Sequence, residues 1–202
     1  MIYLALDPSS TCTGYAVVEQ RGSKLVMKEA GVFKVKQRDG AVDRVMAMRA
    51  DLLEILYEVN PDIVLVEIPL DKQYTRQKVK VSGMAVWAGA AWALWMVALD
   101  WSERTKAGRC TVVPVSNTLW TKGTSKCDRQ LLAEAMFPNA DFSSDTGNDA
   151  SDAASLAIWY DKRNSMALGC KGEAGEKPDS LPKKGHKHVR RSANAKTNSG
   201  RH

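Results

Sequence analysis

The stretch from Ile2 to Val35, IYLALDPSSTCTGYAVVEQRGSKLVMKEAGVFKV, opens the chain with three apolar runs divided by polar breaks. Ile2 to Leu6, Gly14 to Glu19 and Leu25 to Val35 are each bounded by Gly, Ser or charged residues, a spacing that predicts a meander of three antiparallel strands. Further along, Val42, Val45, Met46, Leu52, Leu53, Leu56 and Val59 recur at helical spacing between Ala41 and Val59, and Asn60-Pro61 is a stop signal. Ile63 to Val66 is a continuous apolar run, a buried strand by its pattern, that ends on Glu67 and is halted by Pro69. Tyr74 to Leu99 predicts one long helix, polar in its first turns. Thr111 to Val115 predicts a fifth strand, and Cys127 to Phe137 and Asp149 to Tyr160 two more helices. That order suits an α/β fold in which a mixed five-stranded sheet is flanked by helices on both faces.

Charge divides the chain in two. The formal net charge is +6, but residues 1–160 carry 18 basic and 19 acidic side chains, whereas residues 161–202 carry 11 and 4. We therefore expect one domain over 1–160 and a basic, disordered tail over 161–202, too poor in large apolar groups to offset its ordering entropy. Cys12, Cys110, Cys127 and Cys170 form no CxxC pair and stand near no histidine at ligand spacing, which argues against zinc and against a disulfide framework. With no signal-peptide pattern at Met1, this predicts a cytoplasmic protein. The apolar stretch Met84 to Leu99 has 16 residues, short of the roughly 20 that cross a bilayer, and reads as a buried helix; no membrane partner is expected.

Four carboxylates stand out by position: Asp7 and Glu67 at strand ends, and Asp149 and Asp152 opening the last helix. Three residues apart, the last two project from one helix face, where the helix dipole alone would account for them. Asp7 and Glu67 have no such account. A carboxylate closing an apolar strand is costly to bury unless a cation holds it, and clustered carboxylates are what a divalent metal with oxygen ligands requires. All three histidines, His186, His188 and His202, lie in the tail. Residues 1–185 thus supply no histidine base and no Ser-His-Asp or Cys-His arrangement, leaving metal-activated water as the simplest nucleophile.

Three motifs in this order resemble those of the RuvC-type Holliday junction resolvases. Leu4-Ala5-Leu6-Asp7-Pro8-Ser9-Ser10-Thr11-Cys12-Thr13-Gly14-Tyr15-Ala16-Val17 is similar to their opening motif. Asn60-Pro61-Asp62 running into Val64-Leu65-Val66-Glu67 is similar to the second, and Asp149-Ala150-Ser151-Asp152-Ala153-Ala154-Ser155-Leu156-Ala157 to the last. The resemblance covers roughly residues 1–160 and implies a ribonuclease H-like fold with the first and fourth strands adjacent. It places Asp7, Glu67, Asp149 and Asp152 on the four acidic positions that bind the metals. It further implies two Mg2+ ions, replaceable by Mn2+, one activating water and one stabilising the leaving oxygen. The implied activity is symmetric nicking of four-way or other branched DNA by a homodimer, in DNA recombination and repair.

Candidate DNA contacts follow. Lys72, Arg76 and Lys80 recur every fourth residue with Tyr74 among them, a stripe for phosphates plus an aromatic to stack on an unpaired base. A solvated helix face has the same pattern, and the resemblance favours the DNA reading. Trp120 to Gln130 resembles the family's glycine-containing loop whose lysines contact the scissile phosphate. Asp128 sits where a lysine is expected, so Lys122, Lys126 and Arg129 are carried as alternatives; Ser9 likewise replaces a glycine. Trp87, Trp92 and Trp95 are read as core or dimer packing, and Gly83, Gly89, Ala90 and Ala91 make their helix the dimer-interface candidate. Lys183, Lys184, Lys187, Arg190 and Arg191 give the tail a salt-sensitive affinity for phosphates, or merely solubility. The competing functions are a junction-binding protein without catalysis, a phage-type debranching nuclease, and an actin-like or sugar-kinase-like phosphotransferase. Against the last, the sequence shows no glycine-rich adenosine loop.

Overall fold

The computed structural model describes residues 1–36, 39–69, 81–106, 109–142 and 148–169. Strands β1 (Ile2–Pro8), β2 (Cys12–Arg21) and β3 (Lys24–Lys34) form the antiparallel meander that the opening stretch predicts. Its first turn is closed by Ser9, whose Oγ accepts from Thr11 N and Cys12 N while its own N–H donates to Cys12 O at 2.7 Å. Serine fits the turn because its φ is not in the left-handed region and its hydroxyl caps the turn's N–H groups. Helix α1 (Ala41–Val59) ends where Asn60 turns left-handed, with φ 50°, ahead of Pro61. Strand β4 (Ile63–Ile68) then runs parallel to β1, and β5 (Thr111–Ser116) parallel to β4. The sheet order is β3-β2-β1-β4-β5.

Helices cover both faces. On one, α1 and α2 (Val81–Lys106) bury Met48, Leu52, Leu56, Ala91 and Leu94 against Leu4, Leu6 and Val66. On the other, α4 (Lys126–Met136) and α5 (Asp149–Gly169) bury Ala133, Ala154 and Ile158 against Tyr3, Ala5 and Leu65. Alternate residues of β1 therefore feed two different cores, as the period of a strand dictates.

Four points of the sequence reading need correction. A single-turn helix, α3 (Asn117–Trp120), follows β5 directly and is too short to leave a periodic signal. Helix α2 continues to Lys106, past Leu99, because Trp101 is buried in the core and Ser102 is anchored by donating to Cys110 O at 2.7 Å. The 22-residue segment Met84–Thr105 is therefore long and apolar enough to cross a membrane, contrary to the count of 16. It nonetheless packs Ala90, Ala91, Leu94 and Ala98 into the protein core. Helix α5 runs on to Gly169, and its extension is held by Tyr3 Oη donating to Asp161 at 3.0 Å and by Arg163 over the Trp159 ring.

Candidate metal-binding nuclease site

The register of the sheet places the first two acids side by side. Leu6 pairs with Val66 across the parallel β1–β4 ladder, so the next residues, Asp7 and Glu67, sit on neighbouring strands. On the other flank Asp7 pairs with Gly14 of β2, and the backbone of Asp149 and Ala150 packs directly on that glycine. The first turn of α5 is thereby seated over the end of β1, carrying Asp149 and Asp152 to the acids of the sheet.

Electrostatics report the same convergence. Burial pushes the Asp7 carboxyl well above the usual carboxylate range, with further upward pressure from Glu67, Asp152 and Asp149 and partial relief from Lys126. Glu67, 3% exposed, is also raised by burial, opposed by hydrogen bonds from Asn117 and Trp120. Asn117 Nδ2 donates to Glu67 Oε1 at 2.5 Å and Trp120 Nε1 to Oε2 at 2.7 Å. Among the described residues each Glu67 oxygen thus has one donor and keeps lone-pair capacity for a cation.

The helical pair faces two cations of α4. Arg129 Nε donates to Asp152 Oδ1 at 2.8 Å and Nη2 to Oδ2 at 3.2 Å, while the guanidinium lies 5.1 Å from the Trp120 ring centroid. Lys126 Nζ lies 3.4 Å from Asp149 Oδ1 and 3.5 Å from Asp152 Oδ2. Burial acts against both cations, but Asp152 and its neighbours outweigh it and raise both above their ordinary values. Ser155 Oγ, one turn beyond Asp152, donates to Arg129 O at 2.8 Å and fixes the register of α4 against α5.

Among the described residues no three acids are drawn around one metal-sized point, because Asp149 and Asp152 are turned towards Lys126 and Arg129. The donor set nonetheless fits a divalent metal. It is all carboxylate oxygen, the hard ligand type of Mg2+ and Mn2+, and two cations leave a fourfold acidic cluster short of positive charge.

Of the basic candidates, Lys126 and Arg129 reach the acids, whereas Lys122 is exposed in the turn before α4 and forms no ion pair with them among the described residues. Asp128 takes no part: it closes a capping box, accepting from Ser125 N at 3.0 Å while Ser125 Oγ accepts from Asp128 N at 3.1 Å. Lys72, Tyr74, Arg76 and Lys80 lie outside the described residues. Asn117, Trp120 and Gly14 are the site residues that sequence reasoning left without a role. For Trp120 a signal existed, since a buried indole N–H needs an acceptor and a buried carboxylate needs donors.

The family model for crossover junction endodeoxyribonuclease RuvC matches residues 3–160. The RuvC of Trichlorobacter lovleyi is 38% identical over 161 residues, covering 79% of this chain and 84% of that protein. The RuvC of Erythrobacter litoralis is 28% identical over 160 residues, covering 78% and 90%. In fold, the chain is similar to T. thermophilus RuvC in complex with Holliday junction substrate, with a TM-score of 0.62 at 22% identity over 82% of this chain and 96% of that one. It is also similar to the yeast mitochondrial Holliday junction resolvase Ydc2, with a TM-score of 0.53 at 13% identity over 84% of each chain. A match running from Tyr3 to Tyr160 takes in the sheet and all four acids, and the chain belongs to the family of the crossover junction endodeoxyribonuclease RuvC.

Proposed function

We propose that this protein is a structure-selective endodeoxyribonuclease that resolves Holliday junctions by symmetric nicking with two Mg2+ ions held by Asp7, Glu67, Asp149 and Asp152. The observation that carries this reading is geometric: the β1–β4 register sets Asp7 beside Glu67, and the first turn of α5, with Asp149 and Asp152, is seated on Gly14, the residue paired with Asp7. Divalent-metal dependence is a property of RuvC-family nucleases. When bound, the cations would polarise the attacking water and neutralise charge on the leaving 3'-oxygen.

The chain's own residues divide the remaining work. Asp7 and Glu67 are rigid because both lie in the sheet, and Asn117 and Trp120 fix the plane of the Glu67 carboxylate. Asp149 and Asp152 are carried on α5, whose seat on Gly14 sets their distance from the sheet. Lys126 and Arg129, on the rim of the acids, are the cations offered to the scissile phosphate. In this reading Lys122, Lys72, Arg76 and Lys80 hold the DNA backbone further out, and Tyr74 stacks where the junction opens.

The reading also divides the chain into a nuclease domain and a basic tail that binds phosphates without sequence preference. Two opposed strands of a junction must be cut, which calls for a two-fold symmetric dimer acting on cytoplasmic DNA. Ala90 and Ala91, expected to let a partner helix approach, are instead buried in the core, so the interface is assigned to the outward face of α1 and α2, where Met46, Tyr57 and Met96 are 54%, 65% and 55% exposed.

The deciding experiment compares a synthetic four-way junction with linear duplex in Mg2+. Paired, symmetric nicks in the junction that vanish in Asp7→Asn support the proposal. Binding without cutting in Mg2+ or Mn2+ overturns it in favour of a non-catalytic junction-binding protein.

A further inference from the structure

The ion pair between Arg129 and Asp152 occupies both oxygens of an acid that the nuclease reading needs for metal. A carboxylate offers about four acceptor positions. Arg129 takes two of them at 2.8 and 3.2 Å, and Lys126 approaches a third at 3.5 Å. Asp152 is buried, 3% exposed, and Arg129 is half-buried, its side chain 13% exposed. A divalent cation on Asp152 would stand beside a fixed guanidinium, so the two positive groups compete for the same oxygens.

We infer that Arg129 is a positioning residue that withholds Asp152 from metal until a DNA phosphate takes the guanidinium, so that metal binding and DNA binding are coupled through this one side chain. The inference rests on the nuclease reading and deepens it. Four features make the exchange feasible. A phosphate presents the same paired oxygens as a carboxylate, so the planar fork of arginine can trade one bidentate partner for the other. The Trp120 ring under the guanidinium supports a cation whichever anion it faces. The remaining nitrogen, Nη1, donates to Thr124 O at 3.2 Å in the exposed turn before α4, so the fork already reaches from the acids to the surface. Meanwhile Ser155 holds the Arg129 backbone to α5, so the side chain can move without the helix moving.

Coupling of this kind is reciprocal: whatever factor DNA adds to metal affinity, metal adds to DNA affinity. In free protein, Arg129→Gln removes the competitor and Arg129→Lys keeps a charge over Trp120 but loses the fork. Mn2+ binding to the full chain without DNA, followed by electron paramagnetic resonance of the free ion, should tighten in both variants, by roughly 5- to 50-fold for Arg129→Gln and less for Arg129→Lys. Junction affinity, measured by fluorescence anisotropy with and without Ca2+, should tighten with metal more in the wild type than in Arg129→Gln. Unchanged or weaker Mn2+ binding in folded Arg129→Gln overturns the inference; should that variant not fold, the same result in Arg129→Lys does so. Wild-type protein that cuts junctions while its variants leave Mn2+ affinity untouched sinks only the Arg129 exchange. Wild type that neither binds Mn2+ nor cuts removes the nuclease reading and the exchange together.

Discussion

Gly14 lies so close to Asp149 that a Cβ built on it would stand 2.0 Å from the Asp149 carbonyl oxygen and 2.7 Å from Ala150 N. Gly14 is also the residue paired with Asp7 across the β1–β2 ladder. The absent side chain at this one position sets how near the acids of α5 come to the acid of β1.

Gly14→Ala should therefore damage the site more than the fold. The obstacle is backbone, which cannot rotate away, so α5 must lift or tilt. We expect a loss of about 1–3 kcal/mol of stability and a fall in junction cleavage on the order of 100-fold, with junction binding largely kept. Denaturant melts and single-turnover cleavage measure the two effects. Cleavage at the wild-type rate in folded Gly14→Ala would show that the seat of α5 does not matter.

Asp7→Asn should abolish cleavage and yet stabilise the metal-free protein. The Asp7 carboxyl titrates above its ordinary range because of burial and three neighbouring carboxylates. The folded state therefore holds its proton more tightly than the unfolded chain, and this contribution to stability is lost as pH rises through the raised value. In EDTA at pH 8, Asp7→Asn should melt roughly 2–6 °C higher, about 1–2 kcal/mol. The gain should shrink towards pH 5, and Mg2+ should raise the melting temperature of wild type more than that of the variant. A lower melting temperature in EDTA would contradict the reading.

Much of this was legible in the residues. Ile2 to Val35 shows its three strands because each run is short, apolar and punctuated, and Asp7 and Glu67 stand out because charge at the end of a buried strand is costly. What was not legible depends on contacts between distant segments. Asn117 and Trp120 meet Glu67 only because β5 lies beside β4, pairing Val115 with Glu67 and delivering α3 to the carboxylate. The role of Gly14 depends on how α5 docks, and the far end of α2 on the burial of Trp101. Arg129 was one of three candidate cations in the sequence; its two-point contact with Asp152, made where α4 docks on α5, sets it apart from Lys126 and Lys122.

Trp120→Phe should weaken the site through Glu67. It keeps an aromatic ring under Arg129 but removes the N–H that donates to Glu67 Oε2 at 2.7 Å. That bond lowers the Glu67 titration against the effect of burial, so its loss lets the value rise further. The acid limb of the pH–rate profile should move to higher pH, with a stability cost of about 1–2 kcal/mol and a loss of activity near neutrality of roughly tenfold. An unmoved acid limb would argue that Trp120 acts only in packing.

Asp149→Asn should retain junction affinity while losing cleavage. Removing negative charge beside the proposed phosphate path, and freeing Lys126 from its 3.4 Å contact, cannot weaken association with DNA. Anisotropy titrations at two salt concentrations, alongside cleavage assays, separate the effects. Loss of binding in a folded Asp149→Asn variant would contradict the assignment of α5 to metal.

The outward face of α1 and α2 is rich in exposed apolar side chains. Val42, Met46 and Tyr57 of α1 and Trp92 and Met96 of α2 are all exposed, and Met46, Tyr57 and Met96 line one groove between the helices. Large apolar groups gathered in this way mark a contact surface, and a stable dimer needs roughly 800 Å2 from each partner. Met96→Glu places a charge in that groove at a position exposed to solvent. In a monomer an exposed substitution of this kind costs within about 0.5 kcal/mol, so melting of the monomer itself should barely change. If the face joins two copies, sedimentation should show a dimer converted to monomer, and paired junction nicks should give way to single, uncoordinated ones. A dimer that survives Met96→Glu and Trp92→Glu together would place the two-fold axis elsewhere on the molecule.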